Sequence, residues 1–587
     1  MPSKRAQHLF CKPTAAFAAS ERKDHMKKLT ALFTAAAILT LYGCSGELET
    51  VSAPQAEGTA VIGLSAPLSG RYFFTEAWGN CEADEDIRNL IYGAGTIAVT
   101  GENTLASDSG TLKSVTTREE RDGGRTYIFT LNDGLLYSDG SPITAKDYVF
   151  SILLQSSKEF SQLDGADNTA YSHLVGWEGF SSGEREGFYG VSLLADNQFS
   201  ITIQSSVLPY YQELSLIQVY PLPMSVLAPG CDIVQGDGGA EWTGVTAELL
   251  RKTILSKDGY RYCPSVTAGP YTLTSVSGSG SRTRLELTAN PYFNGSYAQV
   301  YPSIETLEIS CTDLSSRTSM GSYDLICGIS GKEEMASAEK LLQSEDIRCL
   351  FYDSAEISAL LFGPTVTGSQ RQALAALLDQ EACIDLLAGR WGSPVVGLNP
   401  IASTLSDTFY SELRRCSAQW NDPGLARQLL GGSEPTLTFS YNPSDKRGSA
   451  VAEMLMQTAE DSGLLTIELE ELSTDALIDR QLSGDYELLF CNSSLSADDV
   501  PWNGPEILTG DVLTAAESMA NTTGAFPSRY KEKWQVFQQA YQQDLPALGL
   551  CGYERCDLIS SRLNGYSNVS AFCDWTTLIL STSLLEE

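Results

Sequence analysis

With 587 residues, 42% of them hydrophobic, the chain can bury more than one core, so at least two lobes are expected. Its 39 Lys and Arg stand against 73 Asp and Glu, a formal net charge of -34. Such an excess repels nucleic acid and anionic lipid surfaces, which excludes nucleic acid as a partner and leaves cationic ligands weakly favoured. Only His173 lies beyond residue 44, so a histidine-based metal site has almost no material, and no cofactor is expected.

In chain order, a secretion signal starts at Met26, and residues 1–25 read as an over-extended start. Lys27 and Lys28 form its positive region, and the apolar run Leu29 to Leu41 is too short to span a bilayer ~30 Å thick. Leu41-Tyr42-Gly43-Cys44 resembles a bacterial lipobox, which implies lipidation of Cys44 as the mature N-terminus. The segment 44–60, with Pro54 and Gly58 among Glu, Ser and Ala, suits a flexible tether. No later uninterrupted apolar run reaches the ~18 residues of a membrane span. Setting aside Cys11 and Cys44 leaves twelve of the 14 cysteines. They allow either disulfides outside the cell or buried free thiols, and no pairing is assigned.

The first folded block begins near Val61 and runs past Leu90-Ile91-Tyr92-Gly93. Tyr127, Phe129 and Leu131 alternate with polar residues, the period of a strand with one buried face. Asp133-Gly134 and Asp139-Gly140 supply turns tolerant of positive φ, and Thr144 with Asp147 opens a helix whose Val149, Phe150 and Leu153 face the sheet. Phe199, Ile201 and Ile203 form another strand, and Leu208-Pro209-Tyr210-Tyr211 is expected to open a helix. Gly269-Pro270-Tyr271 and Asn290-Pro291-Tyr292 punctuate a hairpin, and Leu307 to Cys311 is expected to leave for the second lobe. Asp324 precedes a strand, and two helices run from Arg371 to Gly389. Leu437 to Tyr441, Ser449 to Ser462 and Leu465 to Leu469 form a βαβ unit, with a further strand at Tyr486 to Phe490. Leu545 to Leu550 reads as a closing strand.

The run from Tyr127 to Ile152, followed in order by the Gly-Pro-Tyr, Asn-Pro and Gly-x-x-Asp stretches, resembles the solute-binding family 5 proteins that serve peptide and nickel ABC importers. The resemblance covers about Val61 to Leu580. It implies an α/β, two-lobed periplasmic-binding-protein type II fold with an extra subdomain in the first lobe. The implied divisions are 26–43 signal peptide, 61–98 first lobe, 99–192 subdomain, 193–305 first lobe again, 306–540 second lobe and 541–587 a return to the first. It further implies a monomer that is not an enzyme. Held outside the membrane by its lipid, it would bind a peptide ligand and pass it to a permease with ATPase subunits.

In peptide-binding members of that family an Asp shortly after a Gly-Trp pair holds the ligand's α-ammonium. Here Asn492-Ser493 stands where Gly-Trp is expected, and Asp498 or Asp499 reaches the acid position only with a shift of two or three residues. Tyr72, Phe73 and Phe74 lie in the early loop that contacts ligand in relatives. Trp502, Trp391 and Trp78 are further candidates for an apolar cleft wall. Non-peptide solutes (a nickel chelate, an opine or a sugar) are alternatives on the same scaffold, with His173 as the residue to test for nickel. A secreted hydrolase is disfavoured, because the chain has no His-Glu-x-x-His and the single histidine beyond residue 44 leaves little for general base work.

Overall fold

The computed structural model describes residues 56–100, 105–278, 282–295, 297–317, 319–344, 346–395, 420–494, 508, 510–524, 527–569 and 573–585. Residues from Pro54 onward form one compact unit. Cys44 and the proposed signal lie outside the described residues, as do Asp498, Asp499 and Trp502. Among the described residues no helix is long and apolar enough to cross a membrane.

An eleven-stranded sheet organises the chain. Its order is Tyr271–Ser277, Arg284–Ala289, Thr306–Cys311, Thr59–Leu64, Leu325–Ser330, Ala547–Ser560, Ile347–Phe362, Leu488–Ser494, Thr436–Tyr441 and Thr466–Glu471. The short strand Gly392–Ser393 pairs beside Ala547–Ser560. At one end the strands enclose a core of Ile62, Leu64, Ile87, Leu307 and Tyr566. At the other they enclose a second core, with Leu360, Phe439, Leu455, Trp534 and Leu550.

Strand Thr306–Cys311 does not leave for the second lobe. It runs parallel beside Thr59–Leu64, which is flanked on its other edge by Leu325–Ser330. Leu307, Ile309 and Leu325 are buried in the first core, so the first lobe continues through residue 330. The crossing falls near residues 353–357 and returns near 552–555, rather than at the expected 306 and 540.

The subdomain carries its own antiparallel sheet, in the order Leu112–Glu119, Arg125–Leu131, Gln198–Ile203, Val191–Ala195. The signature run folds as its residues dictate. Gly134 and Gly140 take φ of 79° and 81°, and Thr144 and Asp147 close a reciprocal capping box on helix Ala145–Ser156. Val149, Phe150 and Leu153 are wholly buried against the sheet.

Gly93 and Gly269 explain two further motifs. A Cβ at Gly269 would lie 2.3 Å from the Ile91 carbonyl carbon, and one at Gly93 would lie 2.5 Å from the Ala268 oxygen. The Gly269 amide donates to the Ile91 carbonyl at 2.8 Å, so two backbone segments touch where side chains have no room. In the second lobe, Thr436–Tyr441 and Thr466–Glu471 pair in parallel across helix Lys446–Ser462, which Gly463 stops at φ 58°.

The helix expected at Leu208 is absent. Single 3-10 turns at Ser205–Val207 and Ser215–Ile217 bracket a tight loop. The Tyr211 amide is drawn to the Ala520 carbonyl, and the amides of Ser215, Leu216 and Ile217 close tighter bonds to the third residue before them instead of helical ones.

Candidate functional site

Two strands carry the chain between lobes, Ile347–Phe362 and Ala547–Ser560. They pair antiparallel, but their register breaks between Asp353 and Ile357 and again between Ser358 and Ala359. An interrupted ladder is where a sheet bends most easily. Beside the break a chain of charges runs from the exposed Glu82 to the buried Glu356. Glu356 pairs with Arg447 at the start of helix Lys446–Ser462 and accepts from Arg555 Nη2 at 2.8 Å and Nε at 3.0 Å. Arg555 in turn pairs with Glu82, at the start of helix Glu82–Ile91 in the first lobe. The sequence of contacts is therefore first-lobe helix, crossing strand, crossing strand, second-lobe helix.

Burial alone would raise the Glu356 carboxyl, but the two guanidiniums outweigh it and hold it at about 2. Arg447 also donates to Ser330 Oγ at 2.9 Å and lies 4.2 Å from the centre of the Tyr553 ring. A neutral relay continues from there. Ser358 Oγ bonds Tyr553 Oη at 2.7 Å and donates to Asn492 Oδ1 at 2.5 Å, and Asn492 Nδ2 donates to Asp445 Oδ2 at 3.3 Å. Sequence reading missed this cluster. The available signal was a lone acid, Glu356, in the apolar run from Ala355 to Phe362, since an unpaired charge in a buried strand is costly.

A second buried carboxylate, Asp557, sits two residues past Arg555. It accepts from the Gly328 amide at 2.9 Å, Tyr566 Oη at 2.6 Å and Tyr352 Oη at 3.3 Å. Burial dominates over these donors and pushes it up to about 6.

The early loop is held differently from expectation. Asp84 gathers the amides of Ser69, Tyr72, Arg71 and Gly70 at 2.9, 3.1, 3.3 and 3.4 Å. Arg88 caps the Tyr72 carbonyl at 2.7 Å. This turns Phe73 into the first core at 0% exposure and Phe74 into the subdomain core at 4%. Their side chains are packing residues rather than cleft walls, because cores on either side of the loop take them up. Tyr72 stays half-buried, against Gly79.

Trp78 is likewise structural. Its indole donates to the Leu163 carbonyl at 2.6 Å, and the Arg261 guanidinium sits 4.4 Å from its ring centre. Trp391 packs against the cluster of Ile326, Ile329, Met335 and Leu558, with Arg390 4.8 Å from its ring centre. His173 is in the subdomain, where its Nε2 donates to the Leu216 carbonyl at 2.7 Å and burial lowers its pKa. Among the described residues, the structure therefore does not bring the candidates Tyr72, Phe73, Phe74, Trp78, Trp391 and His173 together. What it gathers at the crossing is Glu82, Glu356, Arg447 and Arg555. A hollow of about 700 Å³ beside Leu174, Trp177, Arg185 and Tyr189 opens on the subdomain instead.

Among the described residues no three His, Cys, Asp or Glu side chains are grouped as metal ligands, and the eleven cysteines described are all free thiols. Thiols such as Cys383 and Cys551 are buried, and burial pushes both up to about 12, which leaves them unreactive packing groups.

Residues 105–511 match the family described as bacterial extracellular solute-binding proteins, family 5 Middle. The chain belongs to this family. Among curated relatives, Protein XP55 of Streptomyces lividans is 27% identical over 336 residues, 55% of this chain and 52% of that protein. The chain thus spans about half the length of that relative, and from 20% to 58% of the other curated relatives it matches. Solved structures share its fold more completely. Lactococcal OppA, described as complexed with an endogenous peptide in the closed conformation, superposes with a TM-score of 0.67 at 13% identity, covering 90% of this chain and 100% of that one. AppA from Bacillus subtilis, described as in complex with a nonapeptide, gives 0.64 at 15% identity, covering 91% and 100%. These confirm the two-lobed α/β fold expected from the sequence.

Proposed function

We propose that this family 5 protein is the extracellular, lipid-anchored binding component of an ABC importer. Its two lobes close on a peptide and present it to a membrane permease driven by ATPase subunits. The observation that carries the reading is the pair of crossing strands with a broken register and a charge chain joining a helix of each lobe. That is a hinge between two cores, the architecture of a clamshell binder. Peptide is favoured over nickel chelates because the one described histidine is bonded to a backbone carbonyl within the subdomain. The descriptions of OppA and AppA as peptide complexes support the same class. An extended peptide would take main-chain bonds from strand edges, so affinity would be largely independent of its side chains. Acylation at Cys44 would tether a monomer to the outer face of the membrane.

The test is thermal unfolding of the protein from Ser45 onward with random tri- to nonapeptides, a nickel–histidine chelate and a panel of sugars. A ligand bound only by the folded state raises the melting temperature. Peptides are expected to raise it and the others to leave it unchanged. A shift with the chelate or a sugar alone would overturn the peptide assignment.

A further inference from the structure

The lobes also meet far along the sequence from the hinge, and the binding function proposed above gives that contact a role. In the subdomain loop between Ser205–Val207 and Ser215–Ile217, the Tyr211 amide donates to the Ala520 carbonyl of the second lobe at 2.9 Å. The Tyr211 ring stacks on Tyr530, centroids 3.7 Å apart and planes 15° from parallel. Ala520 ends helix Gly510–Ala520 and Tyr530 begins helix Pro527–Asp544. Tyr530 is 3% exposed within the second-lobe core, against which Tyr210 and Tyr211 also pack.

The loop is braced from behind by its own lobe. Glu213 is paired with Arg125 and accepts from Tyr127 Oη at 2.5 Å, both on strand Arg125–Leu131. Thr96 Oγ1 donates to the Ile217 carbonyl at 2.6 Å. The tyrosines are thus held out as a rigid finger, with a side chain and a backbone donor both directed at the other lobe. A contact of this kind survives only while the lobes are shut, since widening the cleft draws Tyr211 off Tyr530 and leaves the Tyr211 amide and Ala520 carbonyl to water.

We infer that the Tyr210–Tyr211 finger is a closing latch, an aromatic clasp on the second lobe that stabilises the shut state and so sets how tightly ligand is retained. A ligand that binds the shut state sees an apparent affinity scaled by the fraction of protein shut. An aromatic stack with one hydrogen bond supports a change of roughly 5- to 30-fold.

The test uses Tyr211→Ala, Tyr530→Ala, their double variant and Tyr530→Phe in the protein from Ser45 onward. Two readouts are needed, small-angle scattering without ligand and affinity for the random peptides. Tyr211→Ala removes the ring stack and keeps the backbone donor, so it is expected to enlarge the ligand-free radius of gyration and weaken peptide binding by roughly 2- to 10-fold. The double variant should lose no more than Tyr211→Ala alone, because both substitutions remove one contact, and Tyr530→Phe should retain the ring stack and behave as wild type. Additive losses, or an unchanged radius with unchanged affinity in Tyr211→Ala, would overturn the latch. Tyr211 lies in a half-buried turn, so that variant reports even if Tyr530→Ala fails to fold. If the wild type binds no peptide, the peptide assignment fails, while the ligand-free radius still decides the latch.

Discussion

Replacing Glu356 by Gln keeps the shape of the crossing and removes its charge, leaving Arg447 and Arg555 to share one neutral carbonyl. The size of the effect follows from the carboxyl being held at about 2 against an ordinary 4.5. At ~1.36 kcal/mol per unit this is about 3 kcal/mol at pH 7, within the range for breaking a buried ion pair. Its side chain is 10% exposed, so solvent screening is slight. The sign follows from the depressed value. The stabilisation is complete above the unfolded value of 4.5 and is lost as pH falls towards 2. By pH 3 about 1 kcal/mol remains. Urea unfolding of wild type and Glu356→Gln at pH 7, 5, 4 and 3 should therefore show a gap of about 3 kcal/mol that holds to pH 5 and shrinks by about 2 kcal/mol at pH 3. With roughly 530 residues unfolding together at ~2.1 cal/mol/K each, the same gap lowers the melting temperature by about 3 °C at pH 7. A gap of constant size across this pH range would mean that packing, not charge, holds the crossing. No gap at pH 7 would remove the network from the account of the hinge.

Asp557 should behave in the opposite sense. Its pKa is raised from 3.8 to about 6, so its contribution is present below 3.8 and lost as pH rises through 6. The stability difference between wild type and Asp557→Asn should accordingly move against the wild type by up to about 3 kcal/mol between pH 4 and 7, read from urea midpoints. Gly269→Ala should lower stability by roughly 2 kcal/mol or more, because the added carbon meets the Ile91 backbone rather than a flexible side chain. An unchanged urea midpoint in that variant would show that the Gly93–Gly269 approach can relax.

What was legible in the sequence was local. Strand Arg125–Leu131, its two Asp-Gly turns and the capped helix after it are written within some thirty residues, in alternation, turn chemistry and a capping pair. The βαβ unit ending at Glu471 was legible for the same reason. The parallel partnership of Thr59–Leu64 with Thr306–Cys311 was not, since nothing in either strand marks a neighbour so distant in the chain. Strand Ile347–Phe362 escaped notice because its first half alternates in exposure and its second half is buried throughout, so no single period describes it. Tyr72-Phe73-Phe74 and Trp78 show the limit for sites. An aromatic run reads alike whether it faces a cleft or a core, and Asp84, twelve residues past Tyr72, decides the matter by fixing the loop.

The arrangement of charges and rings also says how such a molecule can open without dismantling itself. Displacement in a hinge motion grows with distance from the pivot, so groups at the register break move least. Each ion pair there joins a lobe to its own crossing strand, or one crossing strand to the other: Glu82 to Arg555, Arg555 to Glu356, Glu356 to Arg447. None of these three bridges the two lobes directly, and bending between Asp353 and Ile357 can leave all three intact. The direct links beside them are the single bond from Arg447 to Ser330 Oγ and the exposed pairs Lys446–Glu333 and Lys332–Asp385, which contribute little in water. Breaking a buried pair on every cycle would cost about 3–5 kcal/mol each time, too much for a motion that a weakly bound solute must drive. The Tyr211–Tyr530 stack and its single backbone bond are the reverse case, a contact that does bridge the lobes and whose loss costs only about 1–2 kcal/mol. The buried ion pairs thus sit where nothing needs to separate, and weaker contacts sit where separation must occur.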